Sequence, residues 1–365
     1  MDGNGRVGLV VVGLGGVGSS LIAGVLAAKA HLVHPFGSLT EGGGSGRAPG
    51  SPLTAVRDQA PLAELGDLVL GAFELREDDA YRAALRAGLV NRSLLDELRP
   101  ELRKVCAMLG ARQAPTRRHL ADTLAEDLRG FLAHHHCSQG VVVCTVPGLR
   151  TPPPKMGLTA EEVWNSLDQS ADWVTPGVVY AAAAAQAGCA FVAAGTDAAL
   201  TAPGIPALFE ERGLPIAGAG LLGPDTLLRE MLAQILAAEG MPMAGAASLS
   251  TRAEERGARP WGGPDRTSEM GLGSAWAGGA FELSFELRGQ VALYLAARGL
   301  DAALLAELAA RAGRSGGQDW MDALFAAPLG TTAPQRMSSL SFLARRARML
   351  AELPELARSA GRVAA

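Results

Sequence analysis

Lysine is nearly missing from this chain. Of its 33 lysine and arginine residues only Lys29, Lys104 and Lys155 are lysines. Arginine grips a phosphate through a planar fork, but it holds its proton too tightly to serve readily as a base. Aromatic residues are also scarce, at 5%, and the basic residues are scattered through a chain of net charge -4. No basic stripe with interleaved rings is therefore on offer to nucleic acid. No apolar run reaches the length of a membrane span, and an acidic start with an early glycine loop stands in place of a signal peptide. A soluble, cytoplasmic protein with no membrane partner is the expectation. The four cysteines, Cys106, Cys137, Cys144 and Cys189, form no C-x-x-C pair, which favours reduced structural thiols. His134, His135 and His136 precede Cys137, but consecutive helical residues point in different directions, so no metal site is expected there.

What is present is a core-forming chain of 365 residues with 48% hydrophobic content, long enough for two domains. Its strongest signal lies at residues 7–19, where an apolar strand runs into Gly13, Gly15 and Gly18 in G-x-G-x-x-G spacing. The pattern predicts a tight turn at Gly13, close approach of a pyrophosphate at Gly15, and close packing of the following helix at Gly18. Gly13, Leu14, Gly15, Gly16, Val17, Gly18 and Ser19 are thus the candidate cofactor-binding residues, and a nicotinamide dinucleotide is the cofactor they suggest.

The first half has the rhythm of an α/β fold. Strands are expected at Val7–Val12, Leu68–Phe73, Gly140–Thr145 and Ala190–Ala194, with helices at Leu94–Leu109 and Arg118–His134 between them. Gly42–Pro52 reads as a surface loop, Pro152–Pro154 as a chain break, and the alanines Ala181–Ala185 as a closely packed helix. After Pro215 a glycine-rich approach leads to a helix from about Asp225 to Glu239, with Asp225 or Thr226 as its cap. A strand at Met243–Ser250 should follow. Residues 251–280 show poor periodicity, Ala280–Arg288 alternates as a half-buried antiparallel strand, and helices at Gln290–Arg311 and Ser338–Arg358 close the chain.

Over most of its length the chain resembles the myo-inositol 1-phosphate synthases. The matching stretches are Gly13–Ala23, Phe36–Thr40, Asp67–Glu74, Gly140–Cys144, Pro203–Ile205, Ile216–Leu236 and Arg345–Leu350, in the family's order and spacing. The resemblance implies a Rossmann-type NAD-binding domain from residues 1–216 and 290–365, with a smaller α+β catalytic and oligomerisation domain inserted at 217–289. It also implies a homotetramer and a sugar phosphate substrate. In that family glucose 6-phosphate is oxidised at carbon 5 by bound NAD, the ketone acidifies its neighbour, an intramolecular aldol step closes the ring, and the hydride returns.

The family places lysines around its substrate, where ammonium groups of lowered pKa stabilise an enolate and move protons. Its segment GGDDFKSGQTK aligns with Ala217–Leu227, which puts Leu222 and Leu227 at the two lysine positions and Ala219 and Gly220 at the paired aspartates. Ala326 takes the place of the lysine before Ala-Pro-Leu, and Ala194–Ala199 replaces an asparagine-rich strand end. The catalytic residues are therefore unknown from sequence. Asp225, Thr226 and Arg229 occupy the former lysine segment and suit either a polar substrate or helix capping and surface roles. Arg252, Arg256, Arg259 and Arg266 suit either a phosphate clamp or a loop. Glu74 stands where the family has an aspartate, serving either a ribose hydroxyl or simply as a solvated strand end. Two functions follow from this pattern: a divergent cyclase, or a non-catalytic NAD-binding scaffold or regulator that keeps the family's shell. A changed substrate in specialised metabolism is a variant of the first.

Overall fold

A computed structural model describes residues 5–42, 56–110, 112–148, 159–240, 265–274, 280–327, 329 and 342–363. Among these, the strands in chain order are β1 (Arg6–Val12), β2 (Leu68–Glu74), β3 (Ala107–Leu109), β4 (Cys137–Cys144), β5 (Ala190–Ala193), β6 (Pro215–Gly218), β7 (Asp265–Ser274), β8 (Ala280–Gly289) and β9 (Gly316–Gly317). The helices are α1 (Gly16–Lys29), α2 (Ala80–Ala87), α3 (Arg92–Lys104), α4 (Arg117–His134), α5 (Ala160–Asp168), α6 (Pro176–Ala187), α7 (Gly204–Glu210), α8 (Pro224–Ala238), α9 (Val291–Arg311) and α10 (Phe342–Val363).

Seven strands form one parallel sheet in the order β3, β2, β1, β4, β5, β6, β9. β1 lies at its centre because its run of valines and leucine is buried on both faces. Alternate residues serve opposite layers. Leu9 and Val11 join the core formed with α1, α2, α3, α9 and α10, while Val10 and Val12 join the one formed with α4, α5, α6 and α7. The chain leaves β1 for β2 on one side and reaches β4 on the other. This reversal opens a crevice at the carboxyl ends of β1, β2 and β4, the place where such sheets receive ligands.

The polyalanine stretch behaves as its composition predicts. Ala181–Ala185 are buried in α6, which packs on α4, and the helix starts from Pro176 with the Thr175 hydroxyl accepting from the Val178 amide. It ends at Gly188, whose φ of +78° suits a residue without a Cβ. The last two helices also lie where expected, with α9 against α1 and α10 against α9.

Other elements differ from the sequence-based expectation. The helix expected to reach Leu109 stops at Lys104, and Ala107–Leu109 forms β3 on the edge beside β2. The turn between them is fixed by the Ala80 amide donating to the Val105 carbonyl and the Ala107 amide to that of Asp78. β6 and β9 were masked by glycine and shortness, and β6 crosses the division expected at residue 216. Within 251–280, read as aperiodic, β7 pairs antiparallel with β8 in a separate two-stranded sheet. Helix α8 is not capped by Asp225 or Thr226. Gly223 takes the cap position and Pro224 the first helical one, where a missing N–H costs nothing. The Met243–Ser250 strand, Pro152–Pro154, Arg252, Arg256, Arg259 and most of the Gly42–Pro52 loop lie outside the described residues.

Candidate functional site

The glycines of the loop between β1 and α1 meet different demands. Gly13 has φ +88°, and its amide donates to the Phe73 carbonyl at 2.9 Å, tying the turn to the end of β2. A Cβ at Gly18 would stand 2.1 Å from the Gly13 carbonyl oxygen and 2.9 Å from Val11 Cγ1, so only glycine lets α1 approach β1 this closely. Gly15 is different. A Cβ there would meet nothing within 4 Å, so no steric demand of the chain itself explains the residue. As the helix cap it also provides no side-chain bond, which leaves first-turn amides of α1 for another acceptor. Ser19 braces the loop from below, its hydroxyl donating to the Gly15 carbonyl at 2.7 Å.

Glu74 ends β2 beside this loop. One carboxylate oxygen accepts the Leu14 amide at 2.7 Å and the other accepts the Leu75 amide at the same distance. Each oxygen keeps a further lone pair, so the carboxylate both fixes the loop and can still accept from a hydroxyl. Leu14 itself turns its side chain into the core. From the other flank the Thr145 hydroxyl lies 2.9 Å from both the Val12 and the Gly13 carbonyls.

These residues border a cavity of about 670 Å³ at the carboxyl ends of β1, β2 and β4. Gly13, Gly15, Gly16, Val17 and Glu74 line it; Gly18 and Ser19 shape the loop without lining it. The cavity also contains residues that the sequence did not single out: Arg117 at the start of α4, Thr145, Asp172 and Tyr180. No local motif marks them, because Arg117 comes from the β3–β4 connection and the other three are spread along the β4–β5 connection, so they meet only when the sheet is assembled. The Tyr180 hydroxyl donates to the Gly110 carbonyl at 2.9 Å, and burial raises its pKa. Arg117 donates through its guanidinium to the Ala171 carbonyl.

The segment for which the resemblance implies lysines lies elsewhere, and none of residues 222–229 lines the cavity. Leu222 is 4% exposed, its amide donating to the Leu324 carbonyl, and Leu227 packs against the same core. Ala326 is exposed. Asp225 sits in the first turn of α8 and Thr226 follows it, whereas the side chains of Arg229 and Arg266 lie outside the described set. His134 ends α4, His135 stacks on Phe131 at 4.7 Å, and His136 has φ +54°, so the three histidines divide between helix and turn. Among the described residues no helix is long and apolar enough to cross a membrane.

Comparison with known proteins agrees with this architecture. The family of NAD-binding domains described as myo-inositol-1-phosphate synthase matches residues 7–343. An inositol-3-phosphate synthase of Bacteroides thetaiotaomicron is 28% identical over 63% of this chain and 57% of its own. One from Brassica napus is 25% identical over 65% of this chain and 52% of its own. The chain thus matches little more than half the length of these relatives. The crystal structure of the inositol-3-phosphate synthase of Caenorhabditis elegans, at 17% identity, superposes with a TM-score of 0.81 over 97% of this chain and 86% of that one. The family match takes in the glycine loop, every strand of the parallel sheet and the start of α10, and the chain belongs to the myo-inositol-1-phosphate synthase family.

Proposed function

We propose that this protein binds NAD in the β1–β4 cleft and cyclises glucose 6-phosphate or a related sugar phosphate in the manner of an inositol-3-phosphate synthase. The observation that supports this most is the loop at Gly15: open space on one side, first-turn amides of α1 on the other, and the Glu74 carboxylate next to it. That combination fits a dinucleotide diphosphate and a ribose hydroxyl. Bound NAD would supply a hydride acceptor that is restored within each turnover. The chain orients it: Gly15 and Gly16 admit the diphosphate, Glu74 accepts a ribose hydroxyl while holding Leu14, and Arg117 adds positive charge to the wall.

With Leu222, Leu227 and Ala326 in place of family lysines, enolate stabilisation and proton movement fall to other groups. Asp225, Thr226 and Arg229 are the candidates near that segment. A second reading, a non-catalytic NAD-binding scaffold, is favoured by one observation: Leu222 is buried in the core and half-buried Leu227 packs against it, so neither position offers a polar group. Homotetramer assembly belongs to the first reading. Phosphorus NMR of the purified protein with NAD and glucose 6-phosphate, beside a lysine-bearing family member, tests it. An inositol phosphate resonance supports cyclisation. Its absence, with NAD binding measured and the control active, leaves the scaffold.

A further inference from the structure

Helices α9 and α10 hold an arginine pair that the cofactor cleft does not use. Arg298 on α9 is 8% exposed. Its Nε and Nη2 both donate to the Tyr294 hydroxyl, at 3.2 and 2.9 Å, and its guanidinium carbon lies 5.2 Å from the centre of that ring. The remaining nitrogen, Nη1, is buried with no hydrogen-bond partner. Facing it, Arg346 on α10 is half-buried, and its Nε is likewise buried and unpartnered. Burial lowers the Arg346 pKa, and the Arg298 charge lowers it further.

Arg345 and Arg348 beside it also have a buried, unpartnered Nε, but their terminal nitrogens are engaged. Arg345 donates to Glu230 on α8 and to the Asp322 carbonyl, and Arg348 donates to the Asp322 carboxylate at 2.9 Å. The carboxylate that acts on both Arg298 and Arg346 is Asp301. Its oxygens are already occupied by the Ser38 hydroxyl at 2.6 Å, the Leu39 and Thr40 amides at 2.9 and 3.0 Å, and the Thr40 hydroxyl at 2.8 Å. Two guanidinium groups therefore share one carboxylate that is committed to the 38–40 loop. A guanidinium stays protonated in a protein, and a buried N–H without an acceptor is unfavourable, so the arrangement is incomplete without an anion.

We propose that Arg298, Arg346 and Tyr294 form an anion site for a phosphate monoester. Donors on two separate forks match an oxyanion that has several terminal oxygens, and arginine favours such multidentate contacts. The position deepens the sugar-phosphate reading and rests on it for the identity of the ester. The start of α9 abuts the glycine loop, with Ala292 Cβ 3.3 Å from where a Gly16 Cβ would stand, and Gly299 packs near Leu221 at the exit of β6. Arg298 and Tyr294 thus lie on the helix that passes from the cofactor loop to the segment aligned with the family's lysines, which supplies no lysine for a phosphate, and Arg346 joins them from α10.

Calorimetric titration of NAD-saturated protein tests the proposal, because bound NAD keeps the probe off the glycine loop. Inorganic phosphate and glucose 6-phosphate serve as separate probes. Phosphate is expected to bind, and Arg298→Met and Arg346→Gln each to weaken its Kd by at least about tenfold, while the surface variant Arg92→Gln leaves it unchanged. Arg298→Lys, which keeps the charge but loses the fork, should fall between. Circular dichroism and NAD affinity check each variant's fold, and half-buried Arg346 provides the substitution least disruptive to packing. Failure of phosphate to bind, or binding that both variants leave intact, overturns the site. Phosphate binding that depends on the arginines without binding of glucose 6-phosphate keeps the site and removes the sugar-phosphate reading instead. Binding of glucose 6-phosphate that ignores the arginines does the reverse.

Discussion

The second and third glycines of the motif, Gly15 and Gly18, should separate folding from cofactor binding. Gly18→Ala places a methyl group 2.1 Å from a backbone oxygen and 2.9 Å from Val11 Cγ1, neither of which belongs to a flexible side-chain end. Relief requires α1 to move off β1, which is buried from Val7 to Val12, and overpacking of that kind costs about 1–3 kcal/mol. Gly15→Ala has the opposite profile. With φ -74° and ψ -161° the backbone is open to any residue, and the new Cβ meets nothing, so stability should hold or rise by about 0.5–1 kcal/mol through a less flexible unfolded chain. The methyl group would, however, stand where a diphosphate must approach, and a tenfold loss of NAD affinity corresponds to about 1.4 kcal/mol. Thermal unfolding without cofactor, followed by calorimetric NAD titration, reads both quantities. Gly18→Ala should melt several degrees lower, and Gly15→Ala should melt like the parent yet bind NAD at least about tenfold more weakly. Unchanged NAD affinity in Gly15→Ala would refute the assignment of the cleft, and equal destabilisation by the two variants would refute the packing argument.

Two further outcomes follow from buried groups. Burial pushes the Cys144 and Cys189 thiols up to about 12, whereas Cys106 is exposed, so a thiol reagent at mildly alkaline pH should label Cys106 first and reach Cys144 and Cys189 only after denaturation; early labelling of either buried thiol would contradict the packing of β4 and β5. Asp301→Asn turns an amide toward a ring of donors in a fully buried pocket, which should cost about 3 kcal/mol and loosen the 38–40 loop, seen as faster amide exchange at Leu39 and Thr40; unchanged exchange would argue that another contact holds the loop.

The cofactor half of the site was legible because its physics is local. Gly13, Gly15 and Gly18 act within one turn, and β1 announces itself by a run of buried aliphatics that only a central parallel strand requires. Glu74 needed a resemblance to be noticed, since its task depends on β2 lying beside β1. Arg117, Thr145, Asp172 and Tyr180 were invisible for the same reason taken further: Arg117 lies in the β3–β4 connection and the others far apart along the β4–β5 connection, and only the folded sheet brings them to one cavity. Short strands were lost to a different cause. β3 and β9 have too few residues to show a period, and β6 ends in glycine, so pairing with neighbours decides their state where composition cannot.

Arg298 and Arg346 resisted sequence reading because an arginine on a helix is ordinarily a solvated one. What sets Arg298 apart is a buried terminal nitrogen without a partner, a property of the folded chain that no residue type encodes. The same logic bears on the lysine deficit. Leucine at positions 222 and 227, where the resemblance implies lysine, offers no group that can donate and take back a proton, and no arginine supplies that ability, since its charge is fixed. Arginines at α9 and α10 can replace the lysines' grip on an anion but not their acid–base work. If cyclisation occurs here, anion binding and proton transfer must therefore be divided between different residues, with guanidinium groups holding the ester and a carboxylate or hydroxyl moving the proton. Rate against pH tests this: a carboxylate-dependent reaction gains its base as pH rises through the acidic range and keeps it above, and a rate that stays flat through that range would refute the assignment of a carboxylate base.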